Sequence, residues 1–190
     1  MRVLGIDPGS HYLGYGIVEE RQGRLIHVGH GVVRAGPGPL AERLKVIFVE
    51  LTLAVEAFKP DSVAVEGVFT HKNARSALIL GHARGVALLL AAQAGLEVHE
   101  YAPARVKRSV GAGGNDGKDA VSRMVCAALK IEAELERADA YDALAVALCH
   151  LSHARIGLKP VASKKTPHRK AAMTAFASRL KPSYQREAAR

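Results

Sequence analysis

Arg2-Val3-Leu4-Gly5-Ile6-Asp7-Pro8-Gly9 is an apolar run that stops on an acid and a turn. Proline and glycine break the run, so residues 2–7 are expected as a buried strand ended by Asp7-Pro8-Gly9. Tyr12-Leu13-Gly14-Tyr15-Gly16-Ile17-Val18-Glu19-Glu20 reads as a second strand, and the alternation over residues 24–34 reads as a third. Short turns between them imply an antiparallel meander. Residues 40–58 then carry apolar side chains at helical spacing (Leu40, Leu44, Ile47, Leu51, Val55), and Lys59-Pro60 ends that helix. Residues 61–66 form a short strand closing on Glu66, residues 73–94 a long apolar helix, and residues 96–101 a fifth strand. A short helix at 103–110, a glycine-rich loop at 111–117 and helices at 118–130 and 138–154 complete the order. Three strands followed by alternating helices and strands imply an α/β domain, a mixed five-stranded sheet flanked by helices.

Composition narrows the class. Apolar residues make up 48% of the 190, without tryptophan, so the core is aliphatic. Cys126 and Cys149 are no disulfide framework, which suits a reducing cytoplasm. The N-terminus lacks the pattern of a signal peptide, and the most apolar run, residues 86–94, is too short to span a bilayer, so no membrane is expected. The net charge of +9 is uneven: residues 159–190 hold nine cations against Glu187 alone, which leaves about one positive charge on residues 1–158. The expected organisation is a domain at 1–157 and a basic, disordered tail at 158–190, with residues 171–180 able to form a short helix on binding. The body has its own basic cluster in Lys72, Arg75, Arg84, Arg105, Lys107, Arg108 and Lys118, which points to nucleic acid.

Four acids stand in apolar or small-residue surroundings: Asp7, Glu66, Asp139 and Asp142. Burying bare charge is costly, and a divalent cation removes the penalty. Each acid alone has an ordinary use. Asp7 before Pro-Gly suits an Asx-turn, Glu66 a surface strand end, and Asp139 a helix N-cap. Asp142 is harder to explain this way: it shares a helix face with Asp139, where an unneutralised pair repels. If strands 2–7 and 61–66 are neighbours, Asp7 and Glu66 lie side by side and the last helix brings Asp139 and Asp142 to them. Two divalent ions roughly 4 Å apart could then grip one phosphodiester.

The motifs Gly5-Ile6-Asp7-Pro8-Gly9, Glu66 with Val68-Phe69, Asn73-Ala74 through Leu80-Gly81-His82-Ala83-Arg84-Gly85, and Ala138-Asp139-Ala140 through Asp142-Ala143-Leu144-Ala145, taken in that order over residues 1–155, resemble the RuvC-type Holliday junction resolvases. The resemblance implies a ribonuclease-H-like fold and a bacterial cytoplasmic homodimer. It implies paired magnesium-dependent nicks, symmetric across a four-way DNA junction in strands of like polarity, during recombination and repair. It makes Asp7, Glu66, Asp139 and Asp142 the catalytic metal-binding acids, holding two Mg²⁺ for which Mn²⁺ can substitute. Lys107 and Lys118 fall at the family's basic positions near DNA, and Phe69 where an aromatic approaches the junction bases; Arg75 and Arg108 are further candidate DNA contacts. The RuvA–RuvB branch-migration complex is the implied partner.

Independently of the resemblance, Lys107-Arg108 follow a strand on the edge facing the acids, and Lys118 opens a helix, a fair phosphate site. Phe69 equally suits a core or dimer contact, and either lysine a solvated charge. The long apolar helix at 73–94 is assigned partly to a dimer surface, with core packing as its alternative. Gly67 gives no side chain where relatives often have a polar one, Tyr141 sits between the late aspartates, and the tail is longer and more basic than the family core. Cys149, His150 and His153 suggest zinc, but His150 lies about 12 Å along the helix from Asp142 and no second ligand pair exists. Three rivals stand beside the resolvase: a ribonuclease-H-like nuclease on another substrate, an actin-like phosphotransferase (from Asp7-Pro8-Gly9 with Gly14-Tyr15-Gly16), and a non-catalytic junction-binding scaffold. The chain lacks the second hairpin that the phosphotransferase needs, and the intact acids argue against the scaffold.

Overall fold

A computed structural model of the chain describes residues 1–67, 74–112, 119–132 and 135–155. Phe69, Lys72, Lys118, most of the glycine-rich loop and the basic tail lie outside the described residues. The elements are β1 (Arg2–Asp7), β2 (Tyr12–Arg21), β3 (Arg24–Arg34), α1 (Leu40–Phe58), β4 (Ser62–Glu66), α2 (Ala74–Gln93), β5 (Glu97–Tyr101), α3 (Pro103–Ser109), α4 (Asp119–Leu129) and α5 (Ala138–Arg155). Their order is the expected one. The sheet runs β3-β2-β1-β4-β5, with β1 antiparallel to β2 and parallel to β4. Gln22 and Gly23 make the whole turn between β2 and β3, both at positive φ (51° and 76°), the twist a two-residue hairpin requires.

Side-chain alternation divides the core into two layers. Leu4 and Ile6 of β1 and Val63 and Val65 of β4 face α1 and α2. Val3 and Ala64 face the other way, toward α4 and α5. The same alternation places Asp7 and Glu66, the last residues of β1 and β4, on the α5 side. With Ile6 paired to Val65, the two acids end adjacent strands.

Helix α5 approaches the sheet at backbone contact. A Cβ on Gly5 would lie 2.1 Å from the Ala143 carbonyl oxygen, and one on Gly14 would lie 1.9 Å from that of Asp139. Gly16, cross-strand partner of Gly5, lies under Leu144. The alanines of α5 complete the fit: Ala140, Ala143 and Ala147 are buried. His150 pins the helix further along. Its Nδ1 is 2.7 Å from the Tyr101 hydroxyl of β5, and its Nε2 is 3.3 Å from Ser62 Oγ of β4. Burial, with His99 and His153 nearby, pushes His150 down to about 4, and burial pushes Tyr101 up to about 12. The neutral phenol therefore donates to a neutral imidazole.

Helix α2 corrects one expectation. Over its 20 residues it is long and apolar enough to cross a membrane, a longer stretch than residues 86–94 suggested. Ala83, Ala87, Leu90 and Ala91 turn one face into the core, while Leu78 and Leu89 stay exposed at 67% and 55%. Arg84 pairs with Glu100 on β5. A half-covered helix of a sheet domain accounts for this pattern.

Gly5→Ala is expected to destabilise the fold by about 1–3 kcal/mol, the usual range for overpacking, because the new methyl meets α5 backbone. Gly38→Ala, where a Cβ meets nothing within 4 Å, should stay within about 0.5 kcal/mol of the parent. Urea unfolding of both variants checks the pair; equal stabilities would contradict the close seating of α5.

Candidate active site

Asp7 is the most perturbed acid. Burial first, then the charges of Glu66 and Asp142, push its carboxyl up to about 8, so at neutral pH Asp7 carries a proton and donates it to Glu66. Glu66 is raised chiefly by burial, with Asp142 adding to the rise and the Asp7 hydrogen bond and Lys107 opposing it. Asp142 is raised by burial and by Asp139 three residues back, and Lys107 again opposes. The acids at the ends of β1 and β4 and in the first turns of α5 thus feel one another's charge. Lys107, exposed on α3, is felt by both Glu66 and Asp142, as expected for a cation facing the strand ends.

Asp139 has a partner that sequence reasoning missed. Arg137 Nε donates to Asp139 Oδ2 at 2.9 Å, and its guanidinium carbon lies 3.7 Å from the centre of the Tyr12 ring. Another missed residue is Arg43 of α1. It is buried, and its Nη1 donates to the Ser10 hydroxyl at 3.2 Å and the Ser10 carbonyl at 3.3 Å, bracing the turn just after Asp7. In sequence Arg43 is one of several polar residues in an amphipathic helix and carries no signal. Position was the available signal for Arg137, two residues before a singled-out aspartate. Tyr141 is more than filler: its hydroxyl accepts the Leu135 N–H at 2.7 Å. Of the other candidates, Arg75 is exposed at the start of α2, and Arg108 donates from Nε to the Ala104 carbonyl of its own helix. Phe69 and Lys118 lie outside the described residues.

Among the described residues no three carboxylate, imidazole or thiolate side chains already form a cation cage. The Asp7–Glu66 hydrogen bond and the Asp139–Arg137 pair stand in its place. The donor set nonetheless fits a hard divalent ion: it is oxygen-only, partly buried, and its mutual repulsion is what a cation would relieve.

The model of the family described as crossover junction endodeoxyribonuclease RuvC matches residues 3–150. The chain belongs to the RuvC family. A crossover junction endodeoxyribonuclease RuvC of Myxococcus xanthus is 62% identical over 192 residues, covering 100% of both chains. The RuvC of Pelobacter propionicus is 48% identical over 171 residues, covering 89% of this chain and 95% of that protein. Among solved structures, Thermus thermophilus RuvC in complex with a Holliday junction substrate is similar at a TM-score of 0.76 with 33% identity, over 85% of this chain and 100% of that one. The ribonuclease-H-like fold expected from the motifs is the fold of these RuvC neighbours.

Asp7 titrates at its ordinary 3.8 when unfolded and at about 8 when folded. Between those values the folded chain holds the extra proton, so this group's contribution to stability falls as pH rises toward 8. In chelator, Asp7→Asn is therefore expected to melt above the parent, by a margin larger at pH 8 than at pH 5. Millimolar Mg²⁺ should raise the parent's Tm more than the variant's. A margin independent of pH would contradict the burial of Asp7 among acids.

Proposed function

We propose that this RuvC-family chain is a metal-dependent endonuclease that resolves four-way DNA junctions in homologous recombination and repair. It nicks two strands of like polarity symmetrically and leaves 5′-phosphate and 3′-hydroxyl ends. The observation that carries the proposal is the mutual electrostatic influence of Asp7, Glu66 and Asp142, with Asp139 acting on Asp7 and Asp142, in a chain matched to RuvC over residues 3–150.

Asp7, Glu66, Asp139 and Asp142 would hold the metal, taken as two Mg²⁺ with Mn²⁺ able to substitute. When bound, such ions supply a water nucleophile at neutral pH and neutralise charge on the phosphate and the leaving 3′ oxygen. The chain's own residues set the geometry. The strand ends fix Asp7 and Glu66, and the glycine-seated α5 carries Asp139 and Asp142 to them. Asp7 gives up its proton as the site fills. Lys107 offers an ammonium to the same phosphate. Phe69, Lys118, Arg75 and Arg108 are assigned to the junction by family resemblance and charge.

A symmetric junction calls for a symmetric enzyme, and two copies related by a two-fold axis give one active site per nicked strand. The exposed Leu78 and Leu89 of α2 support a homodimer through that helix. Cooperation with a RuvA–RuvB motor and a bacterial cytoplasmic location complete the proposal.

On a mobile synthetic four-way junction, the protein is expected to make paired, ligatable nicks with Mg²⁺ and none in EDTA. Asp142→Asn should lower the nicking rate by at least about a hundredfold while still binding the junction, in line with the loss of transition-state electrostatics. Junction binding without nicks across varied sequences would replace the enzyme with a scaffold. Preferential cleavage of RNA–DNA hybrids would make it a ribonuclease.

A further inference from the structure

Arg137 is held more firmly than a surface cation needs to be. Tyr12 lies under its guanidinium and Asp139 in front of it. The two residues before it are tied down as well: Leu135 N–H donates to the Tyr141 hydroxyl, and the Glu136 side chain pairs with Arg34. Tyr12 and Arg34 are cross-strand partners on β2 and β3, so the stack and the Arg34 ion pair land on one rung of the sheet. The pair is only partly open to solvent, with side-chain exposures of 36% for Arg137 and 26% for Asp139. Just beneath, Gly14 pairs with Asp7 and underlies the Asp139 backbone, so the other acids are close by.

A guanidinium and a divalent ion seek the same lone pairs on a carboxylate oxygen and repel each other at short range. Full coordination of an ion by Asp139 Oδ2 therefore requires the guanidinium to give up that oxygen. The ring beneath favours Arg137 staying near the site after it yields.

We propose that Arg137 is a positioning residue that acts as an internal counter-cation. In the metal-free protein it holds Asp139 Oδ2, and it must surrender that oxygen before Asp139 can coordinate a divalent ion through it. The pair thereby sets a threshold for metal loading and keeps Asp139 from pressing unneutralised against Asp142. This inference rests on the reading of the four acids as the metal site.

The test is calorimetric titration of the full-length, DNA-free protein with Mn²⁺, with Tm recorded for each variant. Arg137→Gln is expected to bind Mn²⁺ tighter by about five- to tenfold, the order of one nearby like charge removed from a partly exposed site. Arg137→Lys, which keeps the charge, should stay within about twofold of the parent. Tyr12→Leu removes the platform without touching the ion pair and should shift affinity in the same direction by less. Unchanged or weaker binding by Arg137→Gln and Tyr12→Leu would overturn the proposal. Tighter binding by Arg137→Lys equal to that of Arg137→Gln would also overturn it, since the charge would then not be the agent. Asp142→Asn separates the two ideas. If it leaves Mn²⁺ binding of the parent unaltered, the acid-site reading fails and this inference falls with it. If it abolishes binding while Arg137→Gln changes nothing, only the role of Arg137 fails.

Discussion

Helix α5 can lie at backbone distance from the sheet only because Gly5, Gly14 and Gly16 put no side chain beneath it. An ordinary helix-on-sheet contact, with side chains interleaved, would hold the helix several ångströms further out. That separation would matter little for stability, since an aliphatic core can be filled in many ways. It matters for the acids. Asp139 and Asp142 have short side chains, and their influence on Asp7 depends on the helix coming this close. The alanines at 140, 143 and 147 serve the same end from the other side.

The acids themselves work against the fold. Burial and mutual repulsion raise Asp7, Glu66 and Asp142 together, so the metal-free domain carries an electrostatic burden that grows as pH rises from about 4 to 8. Strain of this kind at a site is usual where a ligand supplies the missing charge. The chain limits the burden locally: Asp7 and Glu66 share a proton, Lys107 faces Glu66 and Asp142, and Arg137 takes Asp139. Distant supports hold the frame against it. Arg43 braces the turn after Asp7, and His150 joins α5 to β4 and β5 through Ser62 and Tyr101. Gly67 N–H donates to the Tyr101 carbonyl at 2.8 Å, so the strand end carrying Glu66 is fastened to the same network.

That network resolves the question raised by the histidines near the C-terminal end of α5. His150 stacks on His99 at 4.2 Å between centroids and is neutral and buried. Its neighbour His153 turns back to its own helix, with Nδ1 2.7 Å from the Cys149 carbonyl. These residues pack and brace the helix.

The sequence by itself determined the order and type of the elements, because their signals are local: an apolar run broken by Asp7-Pro8-Gly9, helical spacing from Leu40 to Val55, alternation ending on Glu66. It also determined which acids mattered, since an acid amid Ala, Val, Leu and Ile is conspicuous without any contact map. Only the tertiary structure decided how close those acids stand and what each one faces. The glycine seat of α5 pairs residues more than a hundred positions apart. Arg43 and Arg137 look like any solvated cation until Ser10, Tyr12 and Asp139 are seen around them. Which carboxyl holds the proton follows from burial and from the number of neighbouring charges, and both are properties of the folded arrangement that no short stretch of chain contains.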